Sequence, residues 1–198
     1  MIWTGNTLVS AGEAGVYGER VISGHRVWDP HRSKLSALYH LGKGIELSGS
    51  MRVLYLGAAH GTTVSHVSDY TEVVYAVEKA PFPMQDLLEV AGRRKNIIPI
   101  MADAANPEAY APLVEEVDLI FQDVASPLQA DIAIRNRTFL SRGGYLILVV
   151  KTRSIDSAAR PEEVESGVAV AIRPYYAILD STWLRPYHLD HVAFTCKR

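Results

Sequence analysis

The sequence predicts an α/β protein with a doubly wound, mostly parallel sheet of seven strands and a small β extension at its N-terminus. The first observation is an alternation of short apolar runs with helical stretches between residues 51 and 172. Nearly continuous apolar strands are typical of a parallel sheet that helices cover on both faces. The second observation is that the last two strand-like segments follow each other directly, so the final strand is expected to run antiparallel beside its predecessor.

The first 32 residues form the predicted β extension. Glycines separate three β-like fragments in it, NTLVSAG, GVYGERVI and HRVWDP. This segment is too short for a core of its own, so we expect it to pack on the main domain, residues 33–198. Ser33 is suited to cap a helix over residues 34–41. The basic side chains of this region are interpreted as a solvated face: Arg20, Arg26, Arg32, Lys34 and Lys43.

The main domain opens with MRVLYLGAAHGTT, residues 51–63, which has the pattern of a strand, a tight turn and the start of a helix. In an open α/β sheet such a turn lies at the carboxyl end of the strand, where ligands bind. Gly57 and Gly61 tolerate positive φ and let a ligand approach the backbone closely. A glycine turn alone is also typical of a plain connection, so other residues must decide between the two interpretations.

The remaining elements follow in order along the chain. Further strands are predicted at residues 73–77, 97–101, 117–121, 145–150, 175–184 and 191–196. Further helices are predicted at residues 83–93, 107–116, 127–140 and 161–172.

The composition limits the function. The net charge of −2 gives no overall attraction for nucleic acid, so a local patch or a partner would have to supply RNA binding. The single cysteine, Cys196, excludes a disulfide framework and favours a buried thiol in a reducing compartment. The apolar runs are too short to cross a bilayer, and the histidines lack metal-ligand spacing, so neither a membrane nor a metal is expected.

Four charged residues follow the ends of predicted strands: Glu78, Asp103, Asp123 and Lys151. Taken singly, each is typical of an ordinary surface charge, but all four would lie along the same edge of the sheet as the glycine turn. An acid about 20 residues after that turn is placed to bind a ribose diol, and Asp103 is placed to bind an adenine amino group or a backbone N–H. The pattern G-x-G-x-x-G is absent, which favours S-adenosylmethionine (SAM) over a nicotinamide dinucleotide.

Several blocks of the sequence resemble fibrillarin, the RNA ribose 2′-O-methyltransferase of box C/D ribonucleoproteins. They are VLYLGAAHGTTVSHVSDY, NIIPIMADA, VDLIFQDVASP and GGYLILVVKTRSID, with VYGERV, VWDPHRSKL and LRPYHLDH extending the match toward both ends. The resemblance covers residues 16–198, and the chain is similar in length to archaeal fibrillarin-like proteins. It implies the Rossmann-like sheet of a SAM-dependent methyltransferase.

The resemblance also implies the site residues. It implies a catalytic tetrad of Lys34, Asp123, Lys151 and His191. The cofactor-binding residues that it implies are Gly57, Ala58, Gly61, Thr62, Thr63, Glu78, Lys79, Asp103, Ala104, Asp123, Val124, Ala125, Ser126 and Gln129. Three positions depart from the family pattern, since His60 stands where Ser is usual, Lys79 where Phe is typical and Ser126 where Gln is usual.

The resemblance further implies methylation of rRNA, and of tRNA as a second substrate, at sites chosen by a box C/D guide RNA. It implies Nop5, a Nop56/58-like protein, as partner, with L7Ae bound to the same RNA. The expected location is the cytoplasm of an archaeal cell, or the nucleolus if the source is eukaryotic. Two alternatives remain open at this point: a non-catalytic ribonucleoprotein scaffold, and another nucleotide-cofactor enzyme with the same sheet.

Overall fold

The computed structural model describes residues 1–12 and 15–198, and the strands in these ranges form two sheets. The first sheet is antiparallel and consists of β1 (Ile2–Thr4), β2 (Thr7–Ser10), β3 (Val21–Ile22) and β4 (His25–Val27). The second sheet consists of β5 (Arg52–Leu56), β6 (Val73–Glu78), β7 (Ile97–Met101), β8 (Val117–Gln122), β9 (Leu140–Lys151), β10 (Ala177–Trp183) and β11 (His191–Lys197). The α-helices are α1 (Lys34–His40), α2 (Thr62–Val67), α3 (Pro81–Arg93), α4 (Gln129–Asn136), α5 (Thr152–Ile155) and α6 (Pro161–Ile172).

The larger sheet has the strand order β10-β11-β9-β8-β5-β6-β7. Its strands from β5 to β9 run parallel, while β11 lies antiparallel between β9 and β10. This confirms the predicted doubly wound α/β architecture, including the antiparallel final strand. The parallel order brings the carboxyl ends of five strands to one edge.

Two apolar layers cover the sheet, one on each face. Along β5, Val53 and Tyr55 face the layer that contains residues of α1, α2 and α3, whereas Leu54 and Leu56 face the layer of α4 and α6. This alternation follows from the two-residue repeat of a strand, and it explains why the strands are apolar throughout.

The prediction of a helix over residues 107–116 was wrong. The chain forms two short 3₁₀ turns there, Pro107–Ala109 and Ala111–Leu113. Pro112 lacks an N–H group and disfavours the α conformation at Ala111, so a continuous helix cannot pass through this point. The conformation of this segment is therefore set by Pro112, whose ring interrupts the helical backbone.

The boundary between α4 and β9 also differs from the prediction. The helix ends at Asn136 instead of residue 140, and β9 begins at Leu140, before the glycine pair that was expected to precede it. Gly143 adopts a φ of +78°, and the β8–β9 register shifts between Val117 and Leu119. Glycines inside a strand commonly mark such an irregularity, so the pair bends β9 without ending it.

The N-terminal sheet is attached to the main domain through a buried polar network around Arg26. This side chain is fully buried and forms ion pairs with Glu19 at 2.5 Å and Asp69 at 2.7 Å. It also donates to the backbone oxygen and the hydroxyl of Ser65 in α2, at 3.1 and 2.7 Å. The interpretation of Arg26 as part of a solvated face was therefore wrong, because a buried guanidinium requires such partners.

His66 completes this network. Its ring stacks on Trp28 with 5.1 Å between centroids, and its two nitrogens lie 2.8 Å from the Ser10 hydroxyl and 2.6 Å from the Tyr17 hydroxyl. Burial, together with the nearby Arg26, lowers the pKa of His66 to about 2. The imidazole is therefore neutral at physiological pH and acts as part of the packing between the two sheets.

Two absences apply to the part of the chain that the structure describes. No helix in residues 1–12 and 15–198 has the length and apolar character needed to cross a membrane. Within the same ranges, no group of three or more His, Cys, Asp or Glu side chains is arranged to hold a metal ion.

Candidate functional site

The predicted site residues lie along the carboxyl edge of the parallel strands, around the turn after β5. The N–H groups of Gly57 and Ala58 both donate to the carbonyl of Val77, at 2.9 and 3.0 Å, and the N–H of Asp123 donates to the Leu56 carbonyl at 2.9 Å. A Cβ atom on Gly57 would lie only 2.5 Å from the carbonyl oxygen of Asp123. Glycine is therefore required here, because the turn and the end of β8 approach each other closely.

The rest of the turn leads into α2 with small residues. Gly61 has a φ of +79° and precedes Thr62, the first residue of the helix, and a Cβ on Gly61 would lie 3.0 Å from a methyl group of Leu87. Ala59 also has a positive φ, +48°. Three small residues with positive φ, Gly57, Ala59 and Gly61, therefore alternate along the turn between β5 and α2, and none of them has a large side chain that would stand between a ligand and the backbone.

Glu78 ends β6 beside this turn. Its carboxylate accepts the N–H of Ala59 at 2.8 Å and the N–H of Ala80 at 2.7 Å, one on each oxygen. A carboxylate offers about four acceptor positions, so each oxygen keeps one for a further donor. The geometry of Glu78 therefore fits a ribose diol while the same side chain holds the turn in place.

Asp103 follows β7 at the same edge. Its carboxylate accepts the N–H of Ala105 at 2.9 Å, and Lys79 Nζ lies 3.4 Å from its other oxygen. The N–H of Ala105, with the Lys79 ammonium as a smaller contribution, holds the pKa of Asp103 below its usual range. Ala104 is buried next to it.

The segment after β8 contains the last group of predicted cofactor contacts. Val124 and Ser126 are half-buried, Ala125 is exposed, and the Ser126 hydroxyl accepts the N–H of Leu128 at 3.1 Å. Gln129 differs from its neighbours because its side chain is fully buried and bonds to Ser126 and Lys151 within the protein.

Lys34 and Asp123 form an ion pair of 2.7 Å in this site, with side chains 25% and 20% exposed. Lys34 is the first residue of α1, and the hydroxyl of Ser33 caps that helix by accepting the N–H of Ser36, as the sequence predicts. The same hydroxyl accepts bonds from Trp28 Nε1 at 2.9 Å and from Thr63 Oγ1 at 3.1 Å. The start of α1 is thereby joined directly to the start of α2.

Lys151 and His191 stand directly opposite each other on β9 and β11. Burial and the charge of Lys34 lower the pKa of His191 to about 4, against the opposing effect of Asp123 and with a smaller contribution from Lys151. Lys34, Asp123 and Lys151 all lie close enough to influence this one imidazole. Residues from four distant parts of the sequence are thus brought together at one edge of the sheet.

The family model of fibrillarin matches residues 2–198 of this chain. The chain belongs to the fibrillarin family. A fibrillarin-like rRNA/tRNA 2′-O-methyltransferase of Methanoculleus marisnigri is 63% identical over 198 residues, which span 100% of this chain and 99% of that protein. The corresponding protein of Methanosarcina barkeri is 52% identical over 193 residues, covering 92% of this chain and 85% of its own.

Solved structures of fibrillarins share the fold. A crystal structure of a fibrillarin/Nop5p complex matches with a TM-score of 0.92 and 44% identity, over 97% of this chain and 94% of that one. Aeropyrum pernix fibrillarin, solved with natively bound S-adenosyl-L-methionine, matches with a TM-score of 0.85 and 40% identity, over 96% and 87% of the two chains.

The three departures from the fibrillarin pattern lie at the rim of the site. His60 Nδ1 is 2.7 Å from Asp86, with both side chains more than half exposed. Lys79 is 64% exposed and directs its ammonium toward Asp103. Ser126 uses its hydroxyl locally, on the N–H of Leu128. All three substitutions therefore place polar groups where solvent already reaches.

One residue close to the tetrad escaped the sequence reasoning. His188 donates from Nε2 to the carbonyl of Pro30 at 2.9 Å, and its ring lies 5.6 Å from that of His191. It therefore connects the loop before β11 to the segment that leads into α1. The available signal was its position three residues before His191 in the block LRPYHLDH.

Proposed function

We propose that this protein transfers a methyl group from SAM to ribose 2′-hydroxyls of rRNA, and of tRNA as a second substrate. The observation that carries the proposal is the Lys34–Asp123 ion pair of 2.7 Å, held where the glycine turn and the end of β8 meet. Membership of the fibrillarin family supports it, as does the name of the relative from Methanoculleus marisnigri.

We assign the cofactor to the surface between the turn after β5 and the ends of β6, β7 and β8. Glu78 would bind the ribose diol through its two remaining acceptor positions, with Asp103 and Ala104 beside the adenine. The segment from Asp123 to Ser126 would flank the methionine end. When bound, SAM supplies a sulfonium methyl group, which is an electrophile for an oxygen nucleophile.

The tetrad supplies the other half of the chemistry. A ribose hydroxyl is a weak acid and must lose its proton as it attacks, so alignment and nearby charges both lower the barrier. Lys34 and Lys151 would stabilise the negative charge that develops on the oxygen. Asp123 holds the Lys34 ammonium in place, and His191, with its pKa of about 4, stays neutral and able to accept a hydrogen bond.

A cavity next to the site carries cationic and aromatic groups that fit an RNA strand. A cavity of about 490 Å³ beside the start of α1 is lined in part by Tyr17, Arg20, Arg32 and His40. Two carboxylates, Glu19 and Asp29, also line it, and they are engaged by Arg26 and by the N–H of His31. The guanidinium of Arg32 lies 4.9 Å from the centre of the Tyr17 ring, and neither Arg20 nor Arg32 forms an ion pair with a described residue. Cationic groups near an aromatic ring are typical of surfaces that follow a nucleic-acid backbone.

We further propose that partners supply most of the substrate selection. The net charge of −2 gives this chain little general affinity for RNA. The solved complex of a related fibrillarin with Nop5p supports Nop5 as the protein partner. We extend the proposal to L7Ae and a box C/D guide RNA in the same particle, acting in the cytoplasm of an archaeal cell.

A methyl-transfer assay tests the proposal. The full chain is incubated with labelled SAM and a target RNA, with and without Nop5, L7Ae and a matching guide RNA. We expect transfer to the 2′-hydroxyl of one guided nucleotide, and little transfer when the partners are left out. Assembly of the particle without any transfer would contradict the enzyme and support the scaffold interpretation, and binding of NAD in place of SAM would contradict the cofactor.

A further inference from the structure

Asp123 and Lys151 both lie beyond the last paired residues of β8 and β9. The register between these two strands ends at Gln122 and Leu148. From there, β8 continues directly into Asp123, whereas β9 runs three residues further, to Lys151, paired with β11 on its other side. Within residues 1–12 and 15–198, no ladder hydrogen bond therefore fixes the end of β9 relative to the loop that carries Asp123.

The side chain of Gln129 supplies hydrogen bonds between the end of β9 and the segment after β8. Its amide oxygen accepts the N–H of Lys151 at 2.9 Å, and its amide nitrogen lies 3.3 Å from the Lys151 carbonyl. The same nitrogen donates to the carbonyl of Ser126 at 2.7 Å. Gln129 is fully buried, and Gln122 Nε2 donates to its backbone carbonyl at 2.7 Å. One amide group thus joins the end of β9 to the loop that begins at Asp123.

Lys151 depends on this attachment more than Lys34 does. The ammonium of Lys34 is located by its ion pair with Asp123 and by the capped start of α1. Lys151 is exposed, and its side chain forms no hydrogen bond or ion pair with any other described residue. The place of its ammonium therefore follows from its backbone, which Gln129 holds on the β8 side.

We propose that Gln129 is a positioning residue, which fixes Lys151 relative to Asp123 through the backbone of β9 and the Asp123–Ser126 segment. This role differs from the cofactor contact that the family resemblance implies for Gln129. It rests on the proposed methyl transfer, because it assumes that Lys151 takes part in it. Only a side chain with both an acceptor and a donor at this reach can make the three bonds.

The test is a double-mutant cycle in the assembled particle with guide RNA, measuring kcat and the KM for SAM. Gln129→Leu removes all three bonds, and Gln129→Glu keeps the acceptor for Lys151 but loses the donor. We expect kcat to fall about tenfold or more in Gln129→Leu, because a displaced catalytic group loses alignment. The KM for SAM should change by a smaller factor than kcat. We expect Gln129→Glu to lie between Gln129→Leu and the wild type.

The cycle is completed in a Lys151→Ala background. A residue that acts through Lys151 should have no further effect on kcat once Lys151 is removed. Asn136→Leu is the matched control, since Asn136 is another buried amide of α4 that bonds to backbone carbonyls, of Ala104 and Ile132. It should lower the melting temperature while leaving kcat per folded molecule unchanged.

Several outcomes overturn the proposal. Additive effects of Gln129→Leu and Lys151→Ala on kcat would show that Gln129 does not act through Lys151. A raised KM for SAM with unchanged kcat would assign Gln129 to cofactor binding instead. If Gln129→Leu does not fold, the cycle is run with Gln129→Glu and judged by the same criterion. Absence of transfer by the wild-type particle would contradict the proposed function itself, which is a separate result.

Discussion

Two ion pairs of equal length lie in different regions of this protein. Lys34 and Asp123 are 2.7 Å apart at the edge of the large sheet, and Arg26 and Asp69 are 2.7 Å apart between the N-terminal sheet and the main domain. The side chains of the first pair are 25% and 20% exposed, whereas those of the second are 0% and 4% exposed. The distance within the pair therefore does not distinguish the two regions, and their surroundings do.

The carboxylates differ most in the number of their partners. Asp69 accepts bonds from Arg26, Arg94, the hydroxyl of Ser10 and the N–H of Gly12. The described residues place only Lys34 on the carboxylate of Asp123. A fully satisfied buried charge stabilises one arrangement, whereas a carboxylate with open acceptor positions can bind a further group. The comparison assigns a structural role to the Arg26–Asp69 region and a chemical role to the Lys34–Asp123 region.

The largest expected effect is on catalysis, at the partly exposed pair of Lys34 and Asp123. Asp123→Asn keeps the shape of the side chain but removes the charge that holds Lys34. We expect the rate of guided methyl transfer to fall roughly 10²- to 10⁴-fold, the range of a positioned catalytic group, with the melting temperature nearly unchanged. The rate and the melting temperature are measured on the same preparation. A lowered melting temperature with normal turnover per folded molecule would show that Asp123 is a structural residue. The Lys34–Asp123 and Arg26–Asp69 pairs would then have the same role.

The buried pair should show the opposite behaviour. Asp69→Asn removes the carboxylate charge that Arg26 and Arg94 share and leaves Arg26 with Glu19 as its one remaining ion-pair partner among the described residues. We expect a loss of about 3 kcal/mol of folding free energy, the lower end of the range for breaking a buried ion pair. Denaturant unfolding measures the loss, and turnover per folded molecule should stay near the wild-type value. Asp180→Asn is the control, because the exposed pair of Lys43 and Asp180 is expected to contribute only about 0–1 kcal/mol. Equal stabilities of the two variants would show that the Arg26 network does not hold the sheets together.

The same contrast explains what could be predicted from the sequence. Strand ends in a parallel sheet share one edge by geometry alone, so the positions of Glu78 and Asp103 followed from the apolar pattern. The burial of Arg26 did not follow, because a basic residue in a short β-like fragment has the same sequence pattern whether solvent or a second element covers it. The catalytic and cofactor roles come from the family resemblance and stay predictions. Gln129 illustrates the remaining gap, since only the structure shows which backbone groups its amide reaches.

A smaller effect, on SAM affinity, is expected at Glu78, whose carboxylate both holds the turn after β5 and is proposed to bind the cofactor. Glu78→Gln keeps one acceptor oxygen but loses the charge that two backbone N–H groups and the proposed ribose diol would share. We expect SAM binding to weaken by about 1–3 kcal/mol, as for a hydrogen bond to a charged group. Calorimetry measures it, with Glu72→Gln as control, since Glu72 precedes the same strand at its opposite end. Unchanged affinity in Glu78→Gln would exclude this residue from the cofactor site.

The smallest expected effect is a pH dependence of stability that separates the two regions. The pKa of His66 falls from 6.5 to about 2 on folding, mainly because of burial. The unfolded chain therefore binds a proton that the folded chain excludes, and His66 stabilises the fold fully above pH 6.5 and progressively less below it. One such proton corresponds to a slope of about 1.4 kcal/mol per pH unit.

His191 contributes in the same direction but less, because it is half-exposed and its folded pKa is about 4. Unfolding between pH 6.5 and 4.5 is the informative range, since Glu19, whose pKa is lowered to about 2, adds its own loss only below 4.5. Both His66→Gln and His191→Gln should flatten the slope, and the effect of His191→Gln should become smaller toward pH 4.5, where this imidazole begins to bind a proton in the folded protein. Ser10→Ala, which removes a bond to the His66 ring but keeps the ring, should lower the stability without flattening the slope. A slope that His66→Gln leaves unchanged would mean that this histidine is protonated in the folded protein.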